Sequence, residues 1–268
     1  MTKLKYTLKS DTLFKMLFAK NQQLLKRLVA ALLSIKYEDI TEFSVTNPEI
    51  SPEELGKKFC RLDINMMVNG QKVDLELQMG NEGNYPERSL FYWAREYSTG
   101  IDEGQNYALL PRTIVISILG FNQFSDPEKF HHEFQCLEVT TCEPLTDKMV
   151  LHFYELKKLP PLADTDSGRD LWLKLFNAET EEELKKIENM GVSFMNEAIV
   201  AYRNVAASPE FREIERMMSK ARHDEAQAIY NAEKRGEERA NARWQKVADE
   251  NAKLRAQLVE FQAQTKNM

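Results

Sequence analysis

The stretch RLDINMMVNGQKVDLELQ, Arg61–Gln78, decides how this chain is read. It lies within two runs, Lys58–Val68 and Gln71–Met79, in which polar and apolar residues alternate. Asn69-Gly70 separates them, and an Asn-Gly pair between alternating runs is the strongest short-range hairpin signal. A two-residue turn sets Val68 opposite Gln71, and with it Asp63 opposite Glu76 and Arg61 opposite Gln78. Side chains alternate between the faces of a strand. Arg61, Asp63 and Asn65 therefore share one face with Asp74, Glu76 and Gln78. Leu62, Ile64, Met66, Val68, Val73, Leu75 and Leu77 make the other face, which is apolar and suited to a core. On the polar face the Cβ atoms of Asp63 and Glu76 should stand roughly 5 Å apart.

Like charges set opposite each other destabilise a sheet. They are tolerated when a cation lies between them, when one is protonated, or when a neighbour such as Arg61 neutralises them. Hard divalent ions such as magnesium take carboxylate oxygens together with water and phosphate oxygens. Held there, such an ion lowers the pKa of a bound water and offsets charge building on a phosphodiester. The same alternation is equally what the solvated outer face of an antiparallel hairpin looks like. A three-residue turn would undo the Asp63–Glu76 pairing altogether.

Upstream, Leu13, Phe14, Leu17, Phe18, Leu24, Leu25, Leu28 and Val29 recur at helical steps over Asp11–Leu33, as one amphipathic helix or a close pair. Ser10 and Asp11 supply N-cap chemistry. Pro48 and Pro52 punctuate an acidic loop. Downstream, Gly80–Tyr85 reads as a polar loop and Pro86 as the start of a helix over Glu87–Thr99. TIVISIL, Thr113–Leu119, is a buried strand, and Phe130–Val139 and Met149–Leu156 are two more. Pro160-Pro161 and the polar Asp164–Gly168 mark a boundary, giving domains at 1–160, 161–207 and 208–268. Beyond it come helices over Asp170–Asn177, Glu179–Met190, Val192–Ala207 and a long one from Pro209 to about Gln264. In the last, Trp244, Val247, Asn251, Leu254, Leu258 and Phe261 alternate steps of three and four, a heptad seam with Asn251 at an a position. It reads as a coiled coil joining a homodimer, or as a solvated helix with a scattered apolar stripe.

The 268 residues, 43% hydrophobic and 29% charged, suffice for a core without covalent staples. Cys60, Cys136 and Cys142 are an odd number without paired spacing, which argues against a disulfide framework or a cysteine zinc site and for a reducing, cytoplasmic setting. No stretch approaches the roughly 18 apolar residues of a membrane span, and Met1–Ser10 is too polar for a signal peptide. A net charge of -6 excludes a chain basic all over, though not a local basic surface such as Lys9, Lys15, Lys20, Lys26 and Arg27. His131-His132 point to opposite sides of a strand and cannot chelate one ion together. Nucleotide cofactors have no support, since neither GxxxxGK[ST] nor GxGxxG occurs.

Four segments in order, Asp11-Thr-Leu-Phe-Lys-Met-Leu-Phe18, Arg61-Leu-Asp-Ile64, Asp74-Leu-Glu-Leu-Gln78 and Glu87-Arg-Ser-Leu-Phe-Tyr-Trp93, resemble the PD-(D/E)XK nuclease family transposases, or recombination-promoting nucleases. The resemblance covers residues 8 to 160. It implies an α/β fold of mixed α+β type, restriction-endonuclease-like, with a mixed central sheet flanked by helices. It also implies DNA cleavage with magnesium, manganese substituting. On this resemblance Asp63 and Glu76 are the metal ligands, with the Leu77 carbonyl as a further one, and Gln78 stands where the name-giving motif has lysine. Glutamine can hydrogen-bond a water but brings no positive charge, so Lys72 and Lys15 become candidates to supply it. Asp11 matches the acid that opens the family's first helix, approaching the metal through water; its plain reading is a helix cap. Arg88, Tyr92 and Arg95 fall on one helical face, from which arginine can clamp phosphate and tyrosine can donate to it. Lys15 belongs with Arg88 and Tyr92 as a candidate DNA contact. The expected activity is thus a metal-dependent DNA endonuclease linked to recombination. The alternative is a DNA-binding or scaffold protein that keeps the fold without turnover.

Overall fold

The computed structural model describes residues 2–46 and 64–265, with side chains to 257. Asp63, Arg61, Cys60 and the Pro48–Pro52 loop lie outside the described residues. The hairpin forms in the expected register: β2 (Ile64–Val68) pairs antiparallel with β3 (Gln71–Gln78), Val68 opposite Gln71 and Asn65 opposite Asp74. Asn69 and Gly70 both have positive φ, 47° and 74°, the backbone that a tight hairpin turn of this hand requires. The Asn69 side chain also accepts the amides of Thr41 and Glu42 at 2.9 and 3.0 Å. It thereby ties the preceding segment down, and β1 (Phe43–Val45) pairs with β2.

β3 pairs on its other side with β4 (Thr113–Leu119), now in parallel. β4 pairs in parallel with β6 (Met149–Glu155), and β5 (His131–Gln135) lies antiparallel on β6 at the edge. The result is a mixed six-stranded sheet in the order β1-β2-β3-β4-β6-β5. Every residue of β4 is buried, as a continuous β-branched run in the centre of a two-sided sheet must be.

Helices cover both faces. The first helical stretch is a pair, α1 (Asp11–Lys20) and α2 (Gln22–Leu32), broken at Asn21. Ser10 caps α1 by accepting the Leu13 amide. With α4 (Gly168–Asn177), α5 (Glu181–Glu188) and α6 (Ser193–Ala207) they form one layer. That layer packs with Val73, Leu75, Leu77, Ile114, Ile116 and Ile118 in a single large core, so the helices after residue 160 complete the core of the sheet. The opposite face carries α3 (Tyr85–Ser98). There Tyr85 packs with Val115, Leu119, Phe121, Leu151 and Phe153 in a smaller core. Pro86 occupies the first turn of α3, where its missing N–H is harmless. The final helix, α7 (Pro209–Thr265), joins the large core through Phe211 and continues as a second unit from Arg216.

Candidate active site

Alternation along β3 puts Val73, Leu75 and Leu77 in the large core and Lys72, Asp74, Glu76 and Gln78 on the α3 side. That second face is covered by a helix. Asp74 is 4% exposed and Glu76 7%, so these carboxylates are not the solvated face of a hairpin. Parallel pairing with β4 brings Ser117, 0% exposed, alongside Glu76. From the first turn of α3, the Tyr85 hydroxyl donates to Ser117 Oγ at 2.9 Å. Burial pushes the Tyr85 phenol well above its ordinary range, and the negative charges of Glu76 and then Asp74 push it further. The two acids, Ser117 and Tyr85 thus form one buried polar cluster beneath the start of α3.

The cations take distinct places. Arg88 stands one turn into α3, its guanidinium 4.8 Å from the Tyr85 ring centroid, where its charge works against the upward shift of the phenol. Its Nη1 donates to Glu82 Oε2 at 2.9 Å; the Arg88 side chain is 17% exposed and that of Glu82 63%. Lys72, though on the face of Glu76, reaches the other way. Its Nζ donates to the Glu96 carbonyl at 2.8 Å and to Thr99 Oγ1 at 3.0 Å. A cation is stabilised at that carbonyl-rich helix end, about 13 Å along the strand from Glu76. Gln78 donates its Nε2 to the Gly80 carbonyl at 2.7 Å, so its side chain braces the loop into α3.

The remaining expected residues sit as follows. Asp11 is exposed in the first turn of α1, and Lys15 is only 5% exposed within that helix, in the layer that packs on the apolar face of β3. Tyr92 is buried and Arg95 pairs with Glu96. The other basic residues of the first helices are engaged: Lys9 with Glu179 at 2.6 Å, Lys20 with Glu210, and Lys26 and Arg27 over the Tyr37 ring. His131 and His132 do diverge. His131 Nε2 lies 3.1 Å from His152 Nδ1, while His132 Nε2 is 3.2 Å from Glu155.

Sequence reasoning missed Tyr85 and Ser117. The available signals were an aromatic immediately before the helix-starting Pro86 and a serine interrupting an apolar strand. Among the described residues no group of three or more His, Cys, Asp or Glu is arranged to hold a metal. What the described face offers is oxygen donors from carboxylates, the donor type of a hard divalent ion, with Asp63 one residue before β2. Among the described residues, no helix is long and apolar enough to cross a membrane.

A mixed sheet flanked by helices, with buried acids on a central hairpin strand, defines a class of α+β folds that includes the PD-(D/E)XK nucleases. The model of the PD-(D/E)XK nuclease family transposases matches residues 8–232, and the chain belongs to that family. The match runs past the sheet, through α4–α6 and into α7. The comparisons with curated proteins and with solved structures returned no match.

Proposed function

We propose that the chain is a magnesium-dependent DNA endonuclease that hydrolyses phosphodiester bonds in the course of recombination. Family membership supports a nuclease- or transposase-related function. The observation that carries the finer reading is the burial of Glu76 and Asp74 on one strand face beside Ser117 and Tyr85. Carboxylates are expensive to bury and are kept where they are paired or coordinate metal. Glu76 together with Asp63 would hold the ion, whereas Asp11 opens α1, in the layer on the opposite face of β3 from Glu76, and takes no part in the proposed site. When bound, a divalent ion supplies a water of lowered pKa and neutralises charge on the phosphate. Gln78, its amide nitrogen fixed on Gly80, presents Oε1 to orient that water. The positive charge missing at the glutamine comes from Arg88, which faces the same cluster and can exchange exposed Glu82 for a phosphate oxygen. Tyr92 backs it on the next turn of α3. The substrate is DNA in the cytoplasm, and cutting two strands calls for two copies of the centre, which α7 is suited to unite.

The test is nicking of supercoiled plasmid by the full chain with magnesium, with manganese and with chelator, beside Asp63→Ala and Glu76→Ala. Metal-dependent nicking lost in both variants is expected. Nicking that survives both substitutions overturns the site. A second reading, a DNA-binding protein that has kept the fold without turnover, is favoured by Gln78 in the place of lysine. It predicts magnesium-independent DNA retention and no nicking by the unsubstituted chain.

A further inference from the structure

From residue 221 to 257 every side chain of α7 is exposed. Trp244 is 73% exposed, Val247 41% and Leu254 56%, large apolar side chains on a solvated helix. They are not scattered. With Asn251 they occupy successive a and d positions, and Leu258 and Phe261 continue the spacing in the sequence. The outer b, c and f positions from Gln245 to Glu260 are polar, charged or alanine, with Val259 the one larger apolar residue among them. So narrow a seam suits one other helix and not a broad groove or a membrane surface, which take a wider apolar face.

We propose that this seam is covered by the same seam of a second copy of the chain, as a parallel, in-register, two-stranded coiled coil over residues 244–261. Two features select self-pairing. Asn251 stands at an a position, where in a parallel pair it meets its own counterpart, the arrangement by which a single buried asparagine fixes register and strand number. Glu250 occupies g and Arg255 the following e, the two positions that face each other across a parallel pair. Each copy therefore carries both halves of the contact, and two identical chains satisfy it twice. In an antiparallel pair g meets g and e meets e, so Glu250 would not face Arg255. A foreign helix would need the same asparagine and the opposite charges at matching positions. Parallel strands enter the coil at the same end, which suits an enzyme acting on two strands, but the seam itself does not rest on the nuclease reading.

Sedimentation velocity of the full chain tests this. A species of twice the 31.2 kDa chain mass is expected, dissociating in Leu254→Asp with its helical circular dichroism retained. Charge reversal is the milder test of orientation. Glu250→Arg and Arg255→Glu should each weaken dimerisation by about tenfold, and the double exchange should restore it to within about twofold, because each single change turns two attractions into repulsions. Cysteine at Val247, the d position between Trp244 and Asn251, should crosslink to itself upon oxidation, above the level of the unsubstituted chain. A monomer throughout the accessible concentrations overturns the proposal. So does a dimer indifferent to Leu254→Asp, or a double exchange that fails to restore association. None of these readings depends on nicking, so loss of the coil and loss of the nuclease assignment are told apart.

Discussion

The two faces of β3 are about equally buried and chemically opposite. Val73, Leu75 and Leu77 enter the large core, while Asp74 and Glu76 lie under α3 at 4% and 7% exposure. The first face is explained by stability alone, since each apolar side chain removed from water contributes roughly 1.5–3 kcal/mol. The second is not. A sheet needing only to be covered by α3 could present more of the Val115, Leu119 and Phe153 type that packs around Tyr85. Carboxylates there cost desolvation, and on the proposed function what they supply in return is a hold on the metal ion.

The comparison breaks most visibly at Leu75, which is 0% exposed. Leu75→Ala should lower unfolding free energy by about 3 kcal/mol through lost transfer energy and a cavity. That loss should read out in the urea midpoint, identical with magnesium or with chelator. Glu76→Gln should behave in the contrary manner. At a magnesium concentration ten times the dissociation constant, linkage adds about 1.4 kcal/mol to the stability of a folded state that binds the ion. The unsubstituted chain should show that increment and Glu76→Gln should lack it. Equal magnesium responses in the two variants would mean that Glu76 holds no ion.

Why one face could be read in advance and the other only partly is itself a matter of range. The hairpin register was legible because the Asn69-Gly70 turn has its own geometry, and β4 because a β-branched apolar run has few other places to go. The assignment of Val73, Leu75 and Leu77 to a core followed from alternation alone. That the polar face is also buried was not legible, since its cover is assembled from Tyr85, Phe121 and Phe153, far apart in the chain. Lys72 illustrates the same limit. Alternation puts it on the face of Glu76, but only the packed position of α3 shows its amine drawn to the Glu96 carbonyl. β1 was missed because it is only three residues long and its place at the sheet edge depends on a distant side chain, Asn69, which accepts the Thr41 and Glu42 amides just before it. The partner of His131 was likewise hidden: the strand pattern shows that His132 diverges, but His152 arrives from β6.

That histidine pair gives the large-core face its own polar corner and a pH dependence. Burial of His131, then the charges of His152 and Arg169, bring its pKa down to about 4. A base whose folded pKa is depressed is neutral in the native state at a pH where the unfolded chain already binds the proton. Its stabilising effect is therefore complete above about pH 6.5 and is lost as pH falls toward 4. His152 is shifted in the same direction, chiefly by burial. Allowing for solvent screening of the half-exposed ring, His131 should account for about 1 kcal/mol of the stability lost on acidification across that window. In His131→Phe, which retains a ring to stack on Tyr154 as His131 does at 4.3 Å, urea midpoints between pH 7 and pH 5 should change less than in the unsubstituted chain. A slope unchanged by the substitution would place the proton uptake elsewhere.

The smallest effect probes the rim of the acid-bearing face. Arg88 is bound to Glu82, and a pair whose acid is 63% exposed is worth only about 0.5 kcal/mol. Glu82→Gln should release Arg88 to a DNA phosphate and tighten DNA binding about twofold. Arg88→Gln should weaken binding and reduce the slope of log affinity against log salt by about 0.9, the value for one phosphate contact. Combining the two should leave the Arg88→Gln phenotype, because without the guanidinium the loss of Glu82 has no cation to release. If Glu82→Gln instead tightens binding to the same extent in the Arg88→Gln background, the effect is general relief of negative charge at the surface. Arg88 would then serve to hold the start of α3 over Tyr85, and the positive charge opposite Gln78 would have to come from another residue.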